Sequence, residues 1–237
     1  MKSFLRKRMS VRAFSLSGLV SGLLVLFIFT AKPVSRMPSY SLLCLGDSYT
    51  IGEMVLPKEN FPNQTADLLR KSGFDFADPE IVARTGWTTD ELQAAISEHT
   101  FKNQYDFVTL LIGVNNQYRG RSIEDYKSQF ETLLKKSIHF AGGRTDHVIV
   151  LSIPDWSVTP FAASTYRASV AKQIDKFNEA NKELAATYRV KYIDITQDTR
   201  LAASDQGLIA ADGLHPSARE YAKWSEKIYQ VIHQELQ

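Results

Sequence analysis

Residues 40–53 read Tyr-Ser-Leu-Leu-Cys-Leu-Gly-Asp-Ser-Tyr-Thr-Ile-Gly-Glu. The apolar run Leu42 to Leu45 has the length of one strand and stops abruptly at Gly46-Asp47-Ser48. A strand that ends in such a turn sends its next side chains out at the carboxyl edge of its sheet, where parallel α/β sheets bind ligands. A hydroxyl delivered there by a rigid strand is a candidate nucleophile, and here that hydroxyl is Ser48. The same tripeptide also reads as a plain turn capping the next helix.

Further residues are needed to choose, and they lie near the other end of the chain, where residues 211–217 read Ala-Asp-Gly-Leu-His-Pro-Ser. Asp212 and His215 stand three apart around a glycine, so a turn can return the carboxylate to one ring nitrogen and leave the other free. Pro216 biases His215 toward extended backbone and is expected to open the last helix. Alone, the histidine is structural and Asp-Gly is an ordinary turn; with Ser48 they make a candidate nucleophile, base and orienting acid.

Between these ends the chain alternates strand and helix patterns. Helices are expected over 61–71, from the Thr88/Glu91 capping box, over 123–140, over 165–188 and from Pro216 onward. Strands are expected at Glu80–Arg84, Phe107–Ile112, Val148–Ile153 and Lys191–Ile195, which implies a parallel sheet with right-handed crossovers. Gly86 falls in the turn after the second strand, where backbone N–H groups can point at a ligand or simply form the turn. Asn115 follows the third strand, and its amide can stabilise a developing negative oxygen without carrying charge. The aromatic, proline-rich loop 154–161 is either a substrate wall or ordinary packing. Trp156 and Phe161 in it, with Tyr49, Trp87 and Tyr118, are the candidate pocket residues, and Arg119 is a weaker one.

Gly46-Asp47-Ser48, Gly86, Gly113-Val114-Asn115-Asn116 and Asp212-Gly213-Leu214-His215-Pro216 resemble, in order and spacing, the four blocks of the SGNH (GDSL-type) esterase and lipase family. The resemblance implies a flavodoxin-like three-layer α/β/α sandwich with strand order 2-1-3-4-5. It also implies a Ser48–His215–Asp212 triad, and an oxyanion hole from the N–H groups of Ser48 and Gly86 and the Asn115 side chain. Tyr49 stands where the family name has Leu, and Asn116 where the third block commonly has Asp; these departures touch substrate preference and local hydrogen bonding.

The charge is unevenly placed. Residues 1–39 hold seven basic side chains and no acid, so the chain's net +2 leaves −5 for residues 40–237, and no nucleic-acid partner is expected. Residues 1–12 form a basic n-region, 13–31 an uncharged apolar segment, 32–39 a tether with Pro33 and Pro38, and 40–237 the hydrolase domain. The apolar segment fits a membrane anchor with the domain outside the cytoplasm, or a signal segment whose removal leaves the protein secreted; Phe29 fits cleavage after Ala31 poorly. Gly18 and Gly22 could pack two such helices into a weak dimer, or be ordinary small residues of an apolar segment. Cys44 reads as a buried hydrophobe. No metal or cofactor is expected, because His99, His139, His147 and His233 lack ligand spacing with acids or Cys44.

The function expected is hydrolysis of carboxylic esters through an acyl-serine, on short-chain or lipase/lysophospholipase-like substrates. The alternatives are an O-deacetylase or acyltransferase on envelope polysaccharide, and a non-catalytic binding module.

Overall fold

The computed structural model describes residues 39–162 and 166–237. The basic n-region, the apolar segment with Gly18 and Gly22, and nearly all of the tether lie outside the described residues. Among the described residues no helix is long and apolar enough to cross a membrane.

The first strand, β1 (Leu42–Asp47), is buried along its whole length, as a strand covered on both faces by helices must be. It is followed by β2 (Glu80–Arg84), β3 (Phe107–Leu111), β4 (Val148–Leu151) and β5 (Lys191–Ile193). They form one sheet of order β2-β1-β3-β4-β5, with every neighbouring pair parallel. The expected third, fourth and fifth strands are shorter by one or two residues than their apolar runs, because Ile112, Ile153 and Ile195 stay fully buried after the ladder has ended.

The helices are α1 (Ser48–Ile51), α2 (Phe61–Lys71), α3 (Thr89–Glu98), α4 (Val114–Tyr118), α5 (Ile123–Phe140), α6 (Arg167–Tyr188), α7 (Thr196–Arg200) and α8 (Ala218–Glu235). They group as α2 against α8, and α3 and α6 against α5, which gives the α/β/α layering. Tyr126 and Phe130 of α5 and Trp224 and Ile228 of α8 are fully buried. Each such side chain contributes roughly 1.5–3 kcal/mol of apolar burial. The capping box at Thr88 and Glu91 forms as expected and opens α3.

The residues after Asp47 form a one-turn helix, closed by Gly52 in the left-handed region at φ 78°. The helix expected from Pro216 begins later. The last helix starts at Ala218, not at Pro216: the Ser217 side chain caps it by accepting from Glu220 N–H, and Pro216 instead bridges Ile209. Serine at the cap supplies an acceptor for an orphan N–H, which proline has no side-chain group to do.

Candidate active site

Ser48 is the first residue of α1 and is 4 % exposed. Asp47 before it is the helix cap, its carboxylate accepting from Tyr49 N–H at 3.0 Å. The two readings of the tripeptide are therefore compatible: the aspartate caps, and the cap fixes the start of the turn that carries the serine. Gly46 is dictated by crowding, because a Cβ there would lie 2.1 Å from Thr50 Oγ1 and 2.4 Å from the Leu111 carbonyl. Any side chain would push α1 off the edge of β3 and displace Ser48.

The structure brings Asp212 and His215 to Ser48 across 167 residues of sequence separation. Ser48 Oγ lies 3.0 Å from His215 Nε2, and His215 Nδ1 lies 2.6 Å from Asp212 Oδ2. With its proton on Nδ1 the ring offers Nε2 as acceptor to the serine hydroxyl. Asp212 Oδ1 takes the backbone N–H groups of Leu214 and His215, each at 3.0 Å. Partial burial opposes ionisation of Asp212, but its hydrogen bonds from the His215 ring and these two N–H groups outweigh that and hold the carboxyl below its usual range. The loop is fixed at both ends, by Ala210 N–H donating to the His215 carbonyl at 2.8 Å and Phe161 N–H donating to the Gly213 carbonyl at 3.0 Å.

The remaining candidates leave the sheet at the same level. The register pairs Asp47 with Arg84 and Gly46 with Leu111, so the turns bearing Ser48, Gly86 and Asn115 emerge side by side at the carboxyl ends of β1, β2 and β3. Asn115 Nδ2 donates to the Trp87 carbonyl at 3.0 Å and makes a longer 3.4 Å contact to Asp47 Oδ2, joining all three turns. Gly86 has φ 85°, which an L side chain rarely adopts, and its carbonyl accepts from Arg119 Nη2 at 2.6 Å. Among the described residues neither the Ser48 nor the Gly86 N–H donates within the chain, so both are available to a ligand.

Asp47 is fully buried, and loss of hydration pushes its carboxyl up to about 7 despite the stabilising bonds from Tyr49 N–H and Asn115. Asn116 is likewise buried and pairs twice with Thr89, accepting from its N–H at 3.0 Å and donating to its Oγ1 at 2.7 Å. That double bond pair ties α4 to the start of α3, and is what the asparagine at this position of the third block does.

A cavity of about 120 Å³ opens beside Ser48. Tyr49, Tyr118, Trp156 and Phe161 of the candidate pocket residues line it, together with Val114 and Leu214. The Tyr49 ring also packs on His215, with centroids 5.1 Å apart. Trp87 is not among the lining residues: its side chain packs against the core and only its carbonyl takes part, through Asn115. Arg119 does not line the cavity either, and holds Gly86 and Glu91 instead. Val114 and Leu214 sit inside the motifs and were open to being read as pocket residues. The Arg119 clamp and the bond from Trp156 Nε1 to Gln117 Oε1 at 2.8 Å join residues distant in sequence and leave no mark on any pattern.

Several solved structures share this architecture. The lipase/acylhydrolase from Enterococcus faecalis superposes with a TM-score of 0.67 at 19 % identity, covering 83 % of this chain and 96 % of that one. The esterase EstA from Pseudoalteromonas sp. gives 0.60 at 16 % identity, covering 84 % and 99 %. The acetylxylan esterase Axe2 from Geobacillus stearothermophilus gives 0.63 at 16 % identity, covering 81 % and 94 %. At these identities the likeness establishes the fold. No curated protein sequence matches the chain. The sequence profile of the GDSL-like Lipase/Acylhydrolase family matches residues 44–223, which run from within β1 into the first turns of α8 and include every residue placed at the site, and the chain therefore belongs to that family of ester-bond hydrolases.

Proposed function

We propose that the protein is a serine esterase acting on short-chain carboxylic esters, with Ser48, His215 and Asp212 as its triad. The observation that carries this reading is the continuous hydrogen-bonded line from Ser48 Oγ through the His215 ring to Asp212. Ser48 Oγ attacks the ester carbonyl as its proton passes to His215 Nε2, and Asp212 orients and stabilises the imidazolium that forms. The charge arriving on the carbonyl oxygen is met by the N–H groups of Ser48 and Gly86 and the Asn115 amide. The bond to the alcohol oxygen then breaks, that oxygen takes the proton from His215, and the acyl group remains on Ser48. Water, deprotonated by the same ring, releases it as the acid and restores the serine.

The size of the cavity supports a short acyl group. A dry cavity of about 150 Å³ is enough for benzene, so 120 Å³ suits an acyl chain of up to about four carbons. A longer chain would have to run out over the aromatic wall. The names of the fold neighbours, among them an esterase inhibited by monoethylphosphonate and an acetylxylan esterase, agree with ester cleavage. From the basic leader and the apolar segment at 13–31 we further propose that the enzyme is exported and tethered to the membrane, with its domain outside the cytoplasm.

Hydrolysis of p-nitrophenyl esters from acetate to decanoate by the wild type and Ser48→Ala tests the reading. Activity is expected to concentrate on acetate through butyrate and to fall at least about 10³-fold in the variant. Undiminished turnover by Ser48→Ala would remove the triad assignment, and equal rates on decanoate would remove the short-acyl one.

A further inference from the structure

The aromatic wall of the Ser48 cavity has a second side. Tyr118 and Phe161 are 57 % and 49 % exposed, and Tyr166 beyond them is 65 % exposed. Tyr118 packs edge-on against Trp156 with ring centroids 5.5 Å apart, and Trp156 against Phe161 at 6.0 Å. Their inner side bounds the small cavity, and their outer side bounds an open groove of about 430 Å³ that continues onto α6. Contiguous exposed apolar surface with a polar border is the ordinary mark of a binding site.

The border here is made of amides. Trp156 Nε1 donates to Gln117 Oε1 and Gln117 Nε2 donates to Gln173 Oε1, each at 2.8 Å. Gln173 Nε2 is left at the groove with no partner among the described residues. Among the described residues no charged side chain lines the groove. Three nearby arginines are engaged: Arg119 with Gly86 and Glu91, Arg121 with Asp90, and Arg167 with the carbonyls of Thr159 and Ala162. A phosphate or carboxylate headgroup would therefore find no counter-charge among the described lining residues. A fatty chain would find an open, amide-bordered trough rather than an enclosed aliphatic one. A neutral polyhydroxylated ring matches both features, since its C–H faces can lie on aromatic rings while its hydroxyls reach the amide.

We propose that this groove is the alcohol-side subsite and holds a sugar ring, so that the ester cleaved at Ser48 is a short acyl group carried on a carbohydrate hydroxyl. This rests on the esterase reading above. The sugar oxygen leaves as the free hydroxyl after taking the proton from His215, and water completes the cycle on the acyl-serine.

The test uses the full chain, mono-O-acetylated xylose, glucose and N-acetylglucosamine, which keep their other hydroxyls free, and ethyl acetate as the reference without a ring. At least one sugar acetate is expected to exceed ethyl acetate in kcat/KM by about tenfold or more. Tyr166→Ala and Gln173→Ala are each expected to lower that value about tenfold, mainly through KM, while ethyl acetate hydrolysis stays within about twofold. Sugar acetates no better than ethyl acetate, no effect of either variant, or a parallel loss on both substrates would overturn the proposal. If the wild type hydrolyses neither class, the esterase reading fails on its own account. Tryptophan fluorescence titrated with the three unesterified sugars then decides the groove: binding abolished in both variants keeps it, and no binding ends it.

Discussion

Asn115 shows how much can depend on one side chain. Its Nδ2 is shared between the Trp87 carbonyl and the Asp47 carboxyl, so the proposed oxyanion donor is also the link between the turns that carry the other two donors. A donor held in place before the reaction needs no reorganisation as charge develops, and losing one such donor typically costs about 10²–10³ in rate. Asn115→Ala is therefore expected to lower kcat by about that factor with KM little changed, as steady-state kinetics on p-nitrophenyl acetate would show. A change confined to KM would make Asn115 a residue that binds the ground state. Ser48, His215 and Asp212 were legible in the sequence because their chemistry depends on residue type at close spacing, Gly-Asp-Ser at a strand end and Asp-x-x-His before a proline. Trp87 was not, because the sequence gives the residue but not whether its ring or its carbonyl faces the site.

At the level of elements, strand and helix order followed from apolar runs and caps, whereas the ties between loops had no local signature. The loop 154–161 that forms the aromatic wall is held from beneath by Asp155. That side chain is 1 % exposed, accepts from Ser157 N–H at 2.9 Å, and pairs with Arg200 at the end of α7 at 2.9 Å. Arg200 also reaches Asp175 on α6 at 2.6 Å, so one guanidinium joins three elements. Removing one partner of a buried ion pair leaves an uncompensated charge, at 3–5 kcal/mol when both are dry. Arg200 is 27 % exposed, and Arg200→Met is accordingly expected to destabilise by roughly 2 kcal/mol, a fall in Tm of about 4–8 °C. The double variant with Asp155→Asn is expected to lose less than the sum of the two single changes in thermal unfolding followed by circular dichroism. Strict additivity would mean that the pair does not brace the loop. Pairs such as this, 45 residues apart, are set by the crossover geometry and become visible only once the chain is folded.

Across the whole molecule, the shifted carboxyls give stability a pH dependence whose sign can be worked out. Asp47 is raised in the folded state from 3.8 to about 7, whereas Asp90, Glu91, Glu131, Asp205 and Asp212 are lowered. A lowered carboxyl stabilises at every pH above its unfolded value and loses that contribution only as pH falls through its folded value, so this group is silent from pH 5 upward. Asp47 acts in the opposite sense. Between pH 3.8 and about 7 the folded protein keeps a proton that the unfolded chain has released, so stability declines as pH rises through that window and levels off above it. The buried phenols of Tyr49, Tyr126 and Tyr221 feel the Asp47 charge, and burial drives each of them further toward its neutral form. Asp47→Asn keeps a side-chain acceptor for Tyr49 N–H and removes the titration. The wild type is expected to melt at a lower temperature at pH 8 than at pH 5, and the Asn variant to show a smaller difference. Equal differences in the two proteins would mean that Asp47 stays ionised across the range, held by Asn115 and the helix cap more strongly than burial opposes it.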